Sequence, residues 1–201
     1  MSMNKPNSLS EYEMNVATDK DFLFTKTRII EKVYDVFGKL ANEFAVHLNH
    51  SFQDIEAGTP KISKGENYKG LPYVILDYPR IFHKEDILAV RCFFWWGNFF
   101  SITLQLSGKY KDEYETALQQ AINADYFQGW YISVADNEWE HHFETDNYAL
   151  INSNLAYTLA DRSFIKLAKK IPLVEWDNAE NFFIENFQIL LQAISNQAPI
   201  R

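Results

Sequence analysis

Residues 71–108 read LPYVILDYPRIFHKEDILAVRCFFWWGNFFSITLQLSG. β-Branched and aromatic residues dominate three runs, about 71–78, 87–96 and 99–106, and this predicts three strands. Pro72 and Pro79 bracket the first run, as suits an edge or terminating strand. Between the second and third runs stand Gly97 and Asn98, which tolerate the backbone conformations of a tight turn. Opposite residues of an antiparallel pair share a face, so loop length decides the register. A two-residue turn would set Arg91 against Leu104 and Cys92 against Thr103, scrambling both faces. A three-residue loop, with Gly97 or Asn98 left-handed and a bulge, groups Val90, Cys92 and Phe94 with Ile102, Leu104 and Leu106. The odd loop is therefore expected. The first strand adds Val74 and Leu76 to that apolar face. The other face then carries Tyr73, Asp77, Arg91, Phe93, Trp95, Ser101, Thr103 and Gln105, and Asp77 can pair with Arg91 if their strands are neighbours.

Outward from this meander, residues 1–18 read as a poorly ordered arm. Ile30, Val33, Phe37, Leu40, Phe44 and Leu48 recur at steps of three and four, predicting a helix over about 19–48. Residues 51–70 lack periodicity and read as a long loop, a length often tied to function. A helix is expected over about 109–123. A second hairpin, 129–135 with 138–144, turns at Asp136 and Asn137, which puts Tyr131 and, by extension, Glu140 and His142 on the mixed face. Helices are expected over about 147–152, 154–170 and 178–195, the last signalled by Asp177 and Glu180 at its start and by the stripe Phe183, Phe187, Leu190, Leu191, Ile194. Hairpins without βαβ alternation predict an α+β fold. The expectation is a single domain over 19–201, with an antiparallel sheet of about five strands, a three-strand meander plus a hairpin, packed against N- and C-terminal helices.

The 201 residues suffice for one full core. A formal net charge of −8 argues against a phosphate-backbone binder, so no nucleic-acid partner is expected. The nearest basic cluster, Arg162, Lys166, Lys169 and Lys170, reads as cations at a helix C-terminus. One cysteine, Cys92, excludes an internal disulfide and reads as a buried, inert thiol. The first residues hold no apolar signal core, and no run of 18 apolar residues predicts a membrane span. A cytoplasmic chain without a membrane partner is the expectation.

No motif names a reaction: nucleophile elbow, Walker-type loop, dinucleotide fingerprint and zincin helix are all missing. His47 and His50, three apart, form too weak a pattern for a metal site, and neither metal nor cofactor is expected. Aromatics make up 16% of the chain, and an arginine among aromatic walls suits a small acidic ligand held by bidentate bonds. The candidate ligand-binding residues are Tyr73, Asp77, Arg91, Phe93, Trp95, Ser101, Thr103, Gln105 and Tyr131. The leading expectation is a binding or interaction domain that uses this face and the 51–70 loop. Two others compete with it: a small enzyme acting on an acidic metabolite, with Asp77, Glu140 or His142 as acid or base, and a homo-oligomer that buries the aromatic face against its copy.

Overall fold

In chain order the protein forms α1 (Glu11–Thr18), α2 (Lys20–Ser51), β1 (Lys61–Tyr68), β2 (Leu71–Phe82), β3 (Ile87–Trp95) and β4 (Phe99–Ser107). Then follow α3 (Gly108–Asn123), β5 (Tyr131–Ser133), β6 (Tyr148–Leu150), β7 (Phe164–Pro172) and α4 (Ala179–Ile194). The structure, a computed structural model, describes residues 7–51, 57–152 and 158–195, with only the backbone at 49–51. One antiparallel sheet of seven strands runs β1-β2-β3-β4-β7-β5-β6.

Gly97 takes φ +69°, and Trp95 faces Phe99 across the three residues between them. Val90 consequently lies opposite Leu104 and Cys92 opposite Ile102. The apolar face so formed is buried under the helices. Phe44 of α2 stacks on Phe187 of α4 with ring centroids 3.7 Å apart, and Phe183 meets Phe37 and Phe100 edge-on. Each such side chain removed from water stabilises the fold by about 1.5–3 kcal/mol. Phe37, Leu40, Phe44, Phe183, Phe187 and Leu190 are fully buried, which makes the α2–α4 seam the centre of the core.

The sheet has seven strands rather than about five. Residues 61–68, expected within a loop, form β1, which turns into β2 through Lys69 and Gly70. Both take positive φ, as a two-residue hairpin turn demands. Gly65 of β1 lies under the Tyr73 ring, which a Cβ would approach within 2.4 Å. β2 continues through Pro79 to Phe82. Its register shifts between Asp77 and Arg80, beyond the reach of β1, and Arg80 N donates to Ala57 O there.

The expected hairpin of 129–144 is not formed. β5 pairs instead with β6 on one side and β7 on the other, leaving 134–147 as an irregular segment. The expected helix over 147–152 is therefore β6. Of the expected helix over 154–170, residues 153–157 lie outside the described residues, Leu159–Asp161 is a 3-10 turn, and the rest is strand β7. Phe164, Leu167, Ala168 and Ile171 fit a helical stripe, Ile165, Leu167 and Ile171 fit a strand's alternation, and pairing with β4 decides for the strand. The cluster Arg162, Lys166, Lys169 and Lys170 accordingly does not cap a helix. α4 starts one residue later than expected, after a 3-10 segment, Leu173–Asn178, and its N-cap Asn178 makes no side-chain capping bond. Within the expected arm, Ser10 caps α1 through a reciprocal box with Glu13.

Candidate functional site

The register places all nine candidate residues on the sheet face opposite the helices. Asp77, Arg91, Thr103, Ala168 and Tyr131 make one cross-strand row. Phe93 with Ser101, Tyr73 with Trp95, and Gln105 with Lys166 make its neighbours. The segment 134–147 supplies the partners that cover this face.

Arg91 is the hub. Its Nε and one terminal nitrogen donate to the two oxygens of Asp77, at 2.7 and 3.0 Å, in bidentate geometry. Its other terminal nitrogen lies 3.2 Å from Nε2 of His141. A guanidinium can only donate, so His141 accepts at Nε2 and carries its proton on Nδ1. Burial, then the neighbouring Lys166 and Arg91 charges, hold His141 well below the ordinary histidine range, in keeping with a neutral ring. Lys166, 1% exposed, donates Nζ to the backbone oxygens of Glu138 (2.9 Å) and Glu140. Burial, with Arg91 adding repulsion, lowers the ammonium to about 7.

Tyr68, at the end of β1, ties the covering segment down. Its hydroxyl accepts from the backbone N–H groups of His141 (2.7 Å) and His142 (3.0 Å) and donates to Glu140 Oε2 (2.9 Å). Burial pushes this hydroxyl up to about 12. The His142 ring bridges Glu140 and the exposed Asp146, at 3.2 and 3.1 Å. Gln105 donates to Glu138 at 2.9 Å. Phe93 packs on His141 and Tyr68, and Phe143 stacks on Tyr148. Lys170 reaches over Phe143, Phe99 and Tyr131 at 4.7–5.7 Å, within cation–π range.

Sequence reasoning placed the nine residues on one face. It missed Tyr68, because 51–70 read as loop, and Lys166, because 154–170 read as helix. His142 was expected on a strand, where its neighbour His141 would point to the other side. Off the strand, alternation does not apply, and both backbone amides reach one hydroxyl. A signal for Lys166 was present in Ile165, Leu167 and Ile171 alternating with Lys166, Ala168 and Lys170.

Away from this face, a groove of about 580 Å³ separates α2 from β1, lined by Leu23, Ile30, Tyr34 and Lys64 among others. His47 Nε2 lies 3.0 Å from the Gln188 side chain, and the His50 side chain is outside the described residues. Among the described residues no group of three or more His, Cys, Asp or Glu side chains is arranged to hold a metal ion. No described helix is long and apolar enough to cross a membrane. Burial pushes the Cys92 thiol up. Comparisons with protein families, curated proteins and solved structures found no match to this chain.

Proposed function

We propose that this chain is an interaction domain that engages a protein surface through α1 and the first turns of α2. One observation carries the reading. Of the eleven large apolar side chains exposed among the described residues, six (Leu9, Tyr12, Met14, Phe22, Leu23 and Phe24) fall between residues 9 and 24. Phe22, Leu23 and Phe24 are 51, 45 and 60% exposed. α1 buries none of its residues, and an eight-residue helix is marginal in water without packing. The first fully buried side chain of α2 is Val33. Large apolar side chains left exposed in such concentration mark a contact site. On the mixed sheet face, by contrast, Arg91, Gln105 and Lys166 already bond to residues of 134–147. The groove between α2 and β1 adjoins the patch at Leu23 and brings part of the 51–70 segment into the same surface.

A second copy of the chain is the first partner to test, by sedimentation velocity on wild type and the triple variant Phe22→Ser, Leu23→Ser, Phe24→Ser. The reading expects an associating wild type and a monomeric variant of unchanged melting temperature. A wild type that stays monomeric at high concentration, with a variant indistinguishable from it, overturns self-association through this patch. We take residues 19–201 as one domain, since the apolar core runs from Val33 to Ile194. The lone buried Cys92 supports a cytoplasmic setting.

A second reading keeps a small acidic ligand at Arg91. It is favoured by the surroundings of Arg91, whose guanidinium is flanked by His141 and Lys166 and balanced by Asp77. An anion arriving there would draw protons onto both neighbours. An enzyme at the same place would use Asp77, Glu140 or His142 as acid or base. A thermal-shift screen of carboxylates and phosphates on wild type and Arg91→Ala separates these ideas from the first. A ligand that stabilises only the arginine form supports the second reading, and the absence of any such ligand removes it.

A further inference from the structure

A slot opens on the helix side of the sheet, across it from Arg91. Phe94, buried, forms its floor. Trp96, from the β3–β4 turn, stands edge-on to Phe94 with centroids 5.4 Å apart at 71°. Trp176, from the 3-10 segment before α4, stands edge-on to the same ring at 6.1 Å and 84°. Ile29 and Lys32 of α2 and Leu173 complete the lining of about 310 Å³. Ile29 and Lys32 are three residues apart and therefore neighbours on one helix face. That volume is at the lower end of ligand pockets, about 300–1,000 Å³.

Two polar groups here are unused. Lys32 is exposed and has no ion pair among the described residues. Trp96 Nε1 is buried with no acceptor, although buried donors are nearly always bonded. The apolar walls suit a flat hydrocarbon body, and the one cation selects the charge of its polar end. We propose that this slot binds a small, flat, apolar carboxylate, its ring between the two indoles and its carboxylate on Lys32. The site is independent of the interaction surface argued above. Its ligand class follows from geometry: a neutral ring leaves Lys32 unused, and a cation is repelled by it.

The test is titration of 2-naphthoate into the ¹⁵N-labelled full chain, following the indole N–H signals, with 2-naphthylmethylammonium as the charge-reversed control. The proposal expects saturable shifts at Trp96 and Trp176, and weaker binding of the ammonium. Lys32→Glu should weaken naphthoate binding about fivefold or more at an unchanged melting temperature, while Lys32→Arg retains it. Lys32 is exposed, so both variants report even if substitutions at the tryptophans fail to fold. Binding that does not saturate, that maps to Trp130 or Trp139, that is indifferent to Lys32→Glu, or that prefers the ammonium overturns the proposal.

Discussion

Lys166 couples the covered sheet face to pH. In an unfolded chain it keeps its proton up to about 10.4; in the folded chain it does so only up to about 7. Between those values the unfolded state binds more protons, so stability rises with pH through that window and is lowest below it. A neutral amine still has two N–H groups for its two backbone acceptors. Urea midpoints for wild type are therefore expected to climb between pH 7 and pH 9.5, and those of Lys166→Met to stay nearly flat. A wild-type midpoint that declines over this range would contradict the burial of a depressed lysine. His141 offers a finer check. Its ring should be neutral at pH 6, with the proton on Nδ1, and ¹⁵N chemical shifts read both. An imidazolium at that pH would mean that Arg91 does not donate to Nε2.

The segment 134–147 is an element without regular structure, and one hydroxyl accepts from two of its amides. Tyr68→Phe leaves the N–H groups of His141 and His142 without their acceptor, and each loss costs about 1–3 kcal/mol when partly buried. A total of about 2–6 kcal/mol is expected in urea unfolding. Hydrogen exchange should speed up in 134–147 while the amides of α2 and α4 stay protected. Uniform acceleration across all elements would show that the segment does not open on its own.

This element also marks how far the sequence could be read. The β3–β4 hairpin was legible because period-two patterning and a glycine able to take positive φ agree on one register. α2 and α4 were legible from long stripes such as Phe37, Leu40, Phe44 and Phe183, Phe187, Leu190. The stretch from Trp139 to Phe143 alternates like a strand. What makes it irregular is an acceptor on β1, far away in the chain, and local pattern carries no trace of it. β7 was hidden for a related reason: its apolar spacing satisfies two periods, and the choice is made by β4. The candidate face was readable as a row of side chains, but its lid was not, and so the face appeared open when it is covered.

For the molecule as a whole, α1 is an addition to the fold rather than a support of it. Since α1 buries nothing, a chain lacking residues 1–18 is expected to melt within about 2 °C of the full chain, because surface changes rarely exceed about 0.5 kcal/mol. A large drop in melting temperature would mean that α1 packs on the core.

The strand order has a consequence for the protein's own synthesis. β4 is buried along its whole length, yet its outer neighbour is β7, which comes after α3, β5 and β6. While a ribosome makes the residues between Ser107 and Phe164, at about 5–20 residues per second, the nascent chain carries FFSITLQLS as a bare strand edge for about 3–10 s. Such an edge is a template for pairing with other chains. The most vulnerable moment of this protein therefore falls between the emergence of β4 and that of β7, and a nascent chain stalled in that interval is a stronger candidate for aggregation than one stalled before or after it.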